Sequence, residues 1–213
     1  MTKLKAFIIP VTPFQQNCSL VFDEEAGRGA IVDPGGDVPV ILDAIKKSGI
    51  TVEKILLTHG HLDHAGGAAE LREALGVTIE GPNRADLFLL ETLPASGDKY
   101  GMAGLRAVEP DRWLNDDDLV SVAGLSFKVI TAPGHSPGSV VFFNSGNRFA
   151  LMGDVLFQGS IGRTDLPRAD HQTLLRSIRE KILPLGDDVV FLPGHGPASR
   201  LGDERANNPY LQE

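Results

Sequence analysis

The stretch Thr58-His59-Gly60-His61-Leu62-Asp63-His64 constrains this chain more than any other. Four metal-competent side chains fall close together, after the apolar run Ile55-Leu56-Leu57 and before the small residues Ala65-Gly66-Gly67-Ala68-Ala69. That order predicts a strand end, a tight loop and a helix start. On an extended segment, side chains two apart point the same way. His59 and His61 should therefore face one point, and a turn lets Asp63 and His64 face a second point nearby. Imidazole nitrogens and carboxylate oxygens bind divalent first-row metals well.

Further donors lie downstream. His135 sits in Ala132-Pro133-Gly134-His135-Ser136-Pro137-Gly138, Asp154 in Leu151-Met152-Gly153-Asp154, and His195 in Leu192-Pro193-Gly194-His195-Gly196-Pro197. Each follows an apolar, strand-like run and lies in a loop punctuated by Gly or Pro. Five of the six histidines are thereby accounted for, which random scatter would not give. The sixth, His171, follows Asp170 and reads as structural or exposed.

Along the chain, 6–9, 18–22 and 30–32 read as successive strands. Asp37 is placed to cap a helix over 38–47 that Gly49 closes, and Ala65 to Leu75 reads as one helix ended by Gly76. Strands are expected at 54–58 and 77–80, and a helix at 85–93. The segment 94–118 reads as irregular, with Asp116-Asp117-Asp118 a solvated turn. Two hairpins follow, 119–122 with 125–131 and 139–144 with 148–152. Asp170 should cap a helix through Leu183, 189–192 is the last strand, and the tail is polar. Mixed strands and helices with hairpins give an α/β or α+β fold with helices covering a sheet.

A length of 213 residues with 42% apolar residues predicts one domain over 1–213. The formal net charge of −8 argues against nucleic acid and against an anionic membrane face. Cys18 is the single cysteine, so no internal disulfide forms and a reducing compartment is permitted. Met1-Thr2-Lys3-Leu4-Lys5 and the short apolar run after it do not make a signal peptide, and a cytoplasmic location is expected. Cys18 reads as a small apolar strand residue rather than a nucleophile. Thr58 reads as a strand-end residue bracing the loop, and Asp33 either hydrogen-bonds behind the ligand loop or forms the turn before Pro34.

His-x-His-x-Asp-His, then a loop His, a Gly-Asp and a final loop His resemble the metallo-β-lactamase superfamily. Within it the chain is similar to the glyoxalase II group, the hydroxyacylglutathione hydrolases, in a short bacterial form lacking the C-terminal helical domain. The resemblance runs from Pro10-Val11-Thr12-Pro13-Phe14-Gln15-Gln16-Asn17-Cys18 to Asn208-Pro209-Tyr210-Leu211-Gln212. It implies a four-layer αββα sandwich with the site at one edge between the sheets. It also implies two divalent ions (Zn, Fe or Mn). His59, His61 and His135 would hold one ion, Asp63, His64 and His195 the other, and Asp154 would bridge them. Asp63 would also orient the attacking hydroxide. The implied reaction is hydrolysis of S-D-lactoylglutathione to D-lactate and glutathione.

In long-form members a basic residue nine positions after the bridging Asp helps hold glutathione, and Arg163 stands there. Arg163 either pairs with a glutathione carboxylate or braces the site through Asp165 or Asp170. Long-form members place a tyrosine two residues further on, where this chain has Asp165; weaker glutathione binding or a different thioester is the consequence. Arg84 and Arg168 are lesser sources of positive charge. Two alternatives stay open: a mononuclear iron persulfide dioxygenase of the same fold, and a metal-binding module without turnover. A β-lactamase proper is disfavoured, because by the same resemblance Asp154 would bridge where many of those enzymes carry a cysteine or a non-bridging ligand.

Overall fold

A computed structural model describes residues 4–212, so Met1 to Lys3 of the N-terminal reading lie outside it. The first sheet contains β1 (Leu4–Val11), β2 (Gln16–Asp23), β3 (Arg28–Val32), β4 (Thr51–Leu56) and β5 (Thr78–Glu80), in that spatial order. β1, β2 and β3 run antiparallel; β3, β4 and β5 are parallel. The second half supplies β6 (Leu119–Val122), β7 (Leu125–Thr131), β8 (Val140–Asn144) and β9 (Phe149–Gly153). A short hairpin follows, β10 (Leu156–Phe157) with β11 (Ser160–Ile161), then β12 (Val190–Pro193) and β13 (Ser199–Arg200). The second sheet has the order β13-β12-β9-β8-β7-β6, with β9 and β12 parallel.

Alternation along the strands builds the layers. Leu20, Ile31 and Ile55 join Val38, Ile41 and Ile45 of α1 (Val38–Ser48) on one outer face. Their neighbours Val21, Ala30, Val32 and Leu56 turn inward and meet Phe127, Val129, Val140, Phe142 and Leu151 of the second sheet. Ile130, Val141, Ala150 and Met152 face the other way, onto Leu174, Leu175, Ile178 and Ile182. The result is helix, sheet, sheet, helix, the expected αββα sandwich.

Several sequence expectations need correction. Asp37 sits at the start of α1 in the left-handed region, but its carboxylate accepts from the Thr12 amide at 2.7 Å instead of capping the helix. The helix expected over 65–75 is two helices, α2 (Leu62–Ala65) and α3 (Ala68–Leu75), parted at Gly66-Gly67. A Cβ on Gly67 would lie 2.7 Å from the Pro34 carbonyl, so the chain bends where the loop after β3 presses closest. The stretch 85–93 is a tight turn and α4 (Leu87–Glu91). Leu93–Tyr100, expected irregular, forms α5, with Pro94 tolerated in its first turn and Leu93 and Gly97 buried.

Asp170 does cap α6 (His171–Ser177), accepting from the Thr173 amide at 2.7 Å. The helix then widens into a π turn over Ile178–Ile182 and tightens at Leu183–Leu185, before Gly186. The polar tail contains β13 and α7 (Leu201–Asn207). Buried Glu204 organises it, accepting from Ser199, Gly159 and Asn208. The Asp116–Asp118 turn is tied down as well as solvated: Asp116 accepts from the Thr131 amide and Lys181, and Asp118 from the Asn115 amide. No helix among the described residues is long and apolar enough to cross a membrane.

Candidate metal centre

Four strands end at one edge of the sandwich. β4 runs into His59, His61, Asp63 and His64; the loops after β7, β9 and β12 carry His135, Asp154 and His195. The first four come from one sheet and the last three from the other. Donor atoms of His59, His61 and His135 lie within 4.8 Å of one another, and so do those of Asp63, His64 and His195. Asp154 stands between the two groups. Its Oδ1 is 3.3 Å from His64 Nε2, and its Oδ2 is 3.6 Å from His135 Nε2 and 3.7 Å from His195 Nε2. His171 is outside, exposed, with Nδ1 3.4 Å from the Thr164 hydroxyl.

A set of hydrogen bonds fixes the imidazoles. Asp33 accepts from the Thr58 amide at 2.7 Å, the Thr58 hydroxyl at 2.6 Å and His64 Nδ1 at 2.9 Å. The Thr58 oxygen, having given its proton to Asp33, accepts from His59 Nδ1 at 3.0 Å. His135 Nδ1 donates to the Arg163 carbonyl at 2.9 Å. With Nδ1 carrying the proton in all three, each Nε2 presents a lone pair to the centre. Both readings of Asp33 hold: it turns the chain in the left-handed region, at φ 52°, and its carboxylate reaches behind the ligand loop. Thr58 braces the loop as expected, and Cys18 is fully buried and free.

One organiser had no visible signal in the sequence. Asp86, fully buried, accepts from the Gly60 amide at 2.9 Å, the Ser136 hydroxyl at 2.7 Å and the Gly138 amide at 2.6 Å. It therefore ties the His59/His61 loop to the His135 loop. Burial pushes its carboxyl up, against those three bonds. Only the pairing of distant loops reveals it, because 85–93 reads simply as helix.

The donor set and its unsatisfied atoms fit divalent cations. His59 Nε2, His64 Nε2 and Asp154 Oδ1 are buried without a hydrogen-bond partner. Leaving a buried polar atom unpaired costs about 1–3 kcal/mol, and a divalent cation would satisfy these together. Burial, then the neighbouring imidazole of His135, lowers His61 to about 3; burial and the other imidazoles likewise lower His59. These rings stay neutral and can donate lone pairs. Burial opposes charge on His64, yet Asp154 and Asp63 outweigh it and hold its pKa well above the usual value, so a proton on Nε2 stands where a metal cation would take its place and its lone pair. The same negative field favours a cation. The loop carrying His195 comes so close that a Cβ on Gly194 would lie 2.2 Å from Asp154 Oδ1.

Arg163 and Asp165 make a two-point ion pair at 2.7 and 2.8 Å, so the bracing partner is Asp165 and not Asp170. Arg168 lies 4.0 Å over the Phe88 ring, and Arg84 5.8 Å from the Trp113 ring.

A fold of this order, with His and Asp donors gathered at one edge, is that of a family of metallo-hydrolases. A family model described as the metallo-beta-lactamase superfamily matches residues 11–195, and the chain belongs to that superfamily. It is 46% identical over 205 residues, 96% of each chain, to a Haemophilus influenzae protein named hydroxyacylglutathione hydrolase GloC. Among solved structures, that of the BLEG-1 B3 metallo-beta-lactamase superposes with a TM-score of 0.90 at 34% identity, covering 98% of this chain and all of that one. The structure of TTHA1623 in a di-iron-bound form gives 0.87 at 36% identity, covering 96% of this chain and all of that one.

Proposed function

We propose that the chain hydrolyses acyl-glutathione thioesters, S-D-lactoylglutathione among them, with two divalent metal ions. The observation that carries this reading is Asp154 standing between two triads of donors, with Asp63 in one of them, at the floor of a cavity. His59, His61 and His135 would hold one ion, Asp63, His64 and His195 the other, and Asp154 would touch both. The likeness to GloC supports the substrate class. When bound, such a pair supplies a hydroxide near neutral pH and a positive centre for a carbonyl oxygen.

The chain's own groups do the rest. Asp63, whose Oδ2 lies 3.1 Å from His195 Nε2, is placed to accept a hydrogen bond from the attacking hydroxide and aim its lone pair at the carbonyl carbon. Asp33, Thr58 and the Arg163 carbonyl keep three imidazoles in one tautomer and orientation. The apolar cavity walls would shed water as a substrate fills the cavity, which strengthens every charge interaction within. The leaving thiolate belongs to a thiol of pKa about 8.5 and departs without an acid.

The test is metal analysis and lactoylglutathione hydrolysis on one preparation. Two ions per chain are expected, with turnover lost on chelation and restored by added metal. Asp63→Ala should lower kcat by about a hundred- to ten-thousand-fold with the fold kept. A flat progress curve across a thioester panel in fully loaded protein would refute the reading. The likeness to BLEG-1 supports a second reading, β-lactam hydrolysis by the same centre. A β-lactam arm in the same assay separates it, and oxygen uptake with glutathione persulfide would identify a dioxygenase instead.

A further inference from the structure

The cavity over the donor triads has a volume of 680 Å³ and reaches His61, Asp63, His135, Asp154 and His195. Its walls are unusually apolar for the mouth of a charged site. α4 gives Phe88 and Leu89, α5 gives Leu93 and Tyr100, the β1–β2 turn gives Phe14, and β10 gives Phe157. Phe14 and Tyr100 remain 41% and 50% exposed, yet their rings meet edge to face at 6.1 Å. Exposed aromatic surface beside a reaction centre is surface that a ligand can cover. A lactoyl group is small and carries a hydroxyl, so it would leave most of that wall in water.

The lining holds two cationic side chains, Lys99 and Arg163. The Arg163 guanidinium is engaged by both oxygens of Asp165. Lys99 Nζ lies 5.1 Å from the Tyr100 ring centroid and makes no ion pair among the described residues. Its charge is available to an incoming anion, while that of Arg163 is already matched.

We propose that this cavity selects acyl-glutathiones with an apolar acyl chain or ring, and that Lys99, more than Arg163, takes a glutathione carboxylate. The proposal rests on the thioester-hydrolase reading and deepens it. Phe88, Leu89 and Phe157 flank the acyl group; Tyr100 and Phe14 close over it from the rim.

The test compares kcat/KM for lactoyl-, acetyl- and hexanoyl-glutathione in metal-loaded protein. Each methylene moved out of water is worth about fourfold, so burying about two of the four methylenes that hexanoyl adds to acetyl should raise it above acetyl and lactoyl by on the order of tenfold or more. Lys99→Ala should narrow the preference for hexanoyl-glutathione over hexanoyl-N-acetylcysteamine, which has no carboxylate, by about five- to tenfold, through KM. Arg163→Ala should narrow it less. A preference for lactoyl over hexanoyl would overturn the acyl half, and a larger KM loss in Arg163→Ala would overturn the Lys99 half. Absence of turnover with every thioester would count against the hydrolase reading alone. In that event S-hexylglutathione and S-methylglutathione, titrated into the same protein, decide the inference. Tenfold tighter hexyl binding, weakened by Lys99→Ala, upholds it; equal binding overturns it.

Discussion

Asp86 has no place in the donor set, yet it holds two loops that do. Truncation to Ala would leave the Gly60 and Gly138 amides and the Ser136 hydroxyl facing an empty, dry space. Such groups cost about 1–3 kcal/mol each when orphaned, so Asp86→Ala should lower unfolding free energy by about 3–5 kcal/mol in urea titration. Asp86→Asn keeps one acceptor oxygen but turns its amide N–H2, itself a donor, toward donors, and should fall between. Metal content should drop in both, because His59, His61 and His135 lose the tie that aligns them. Unchanged stability and metal content in Asp86→Ala would remove that role. The Gly-rich spacing around His135 has its reason here too: a Cβ on Gly138 would lie 2.6 Å from Asp86 Cγ.

At the scale of elements, the site depends on how closely helices press on the ligand loops. Gly134 has φ +138°, and a Cβ there would lie 2.3 Å from the Leu174 backbone of α6. The Asp170 amide donates to the Gly134 carbonyl at 2.8 Å, which holds the start of α6 against the His135 loop. Gly134→Ala must move backbone against backbone. A loss of about 3 kcal/mol or more is expected, read as a lower urea midpoint, with reduced metal content. α5 is the element that sequence patterning least foretold. Its glycine and proline argue against a helix, but Gly97 packs against the Met102 carbonyl and Leu105, where no larger residue fits. Tertiary packing overrides propensity there.

Across the whole molecule, the donors come from two sheets, and only the packing between those sheets brings them together. Phe142 is fully buried in that interface, pairing across strands with Val129 and Leu151. Phe142→Ala should lower stability by about 3–5 kcal/mol. It should also weaken metal binding more than an equally destabilising truncation at Ile41, which lies on the outer face. Isothermal metal titration of the two variants, matched for unfolding free energy, makes the comparison. Equal affinities would mean that the inter-sheet core does not set the spacing of the centre.

The sequence by itself determined the candidate donors and the strands that carry them. Histidine and aspartate at strand ends are local chemistry, and alternation along a strand is local geometry, so both are legible one segment at a time. Gly49 and Gly76 ended their helices as read, and Asp170 capped its own. Only the tertiary structure decided that Asp86 joins two loops 26 and 50 residues away, that Asp37 bonds Thr12 rather than its own helix, and that Arg163 is matched by Asp165. A hydrogen bond's partner depends on which backbones meet in space, and burial, which sets the worth of that bond, belongs to the packed layers and to no single stretch of chain.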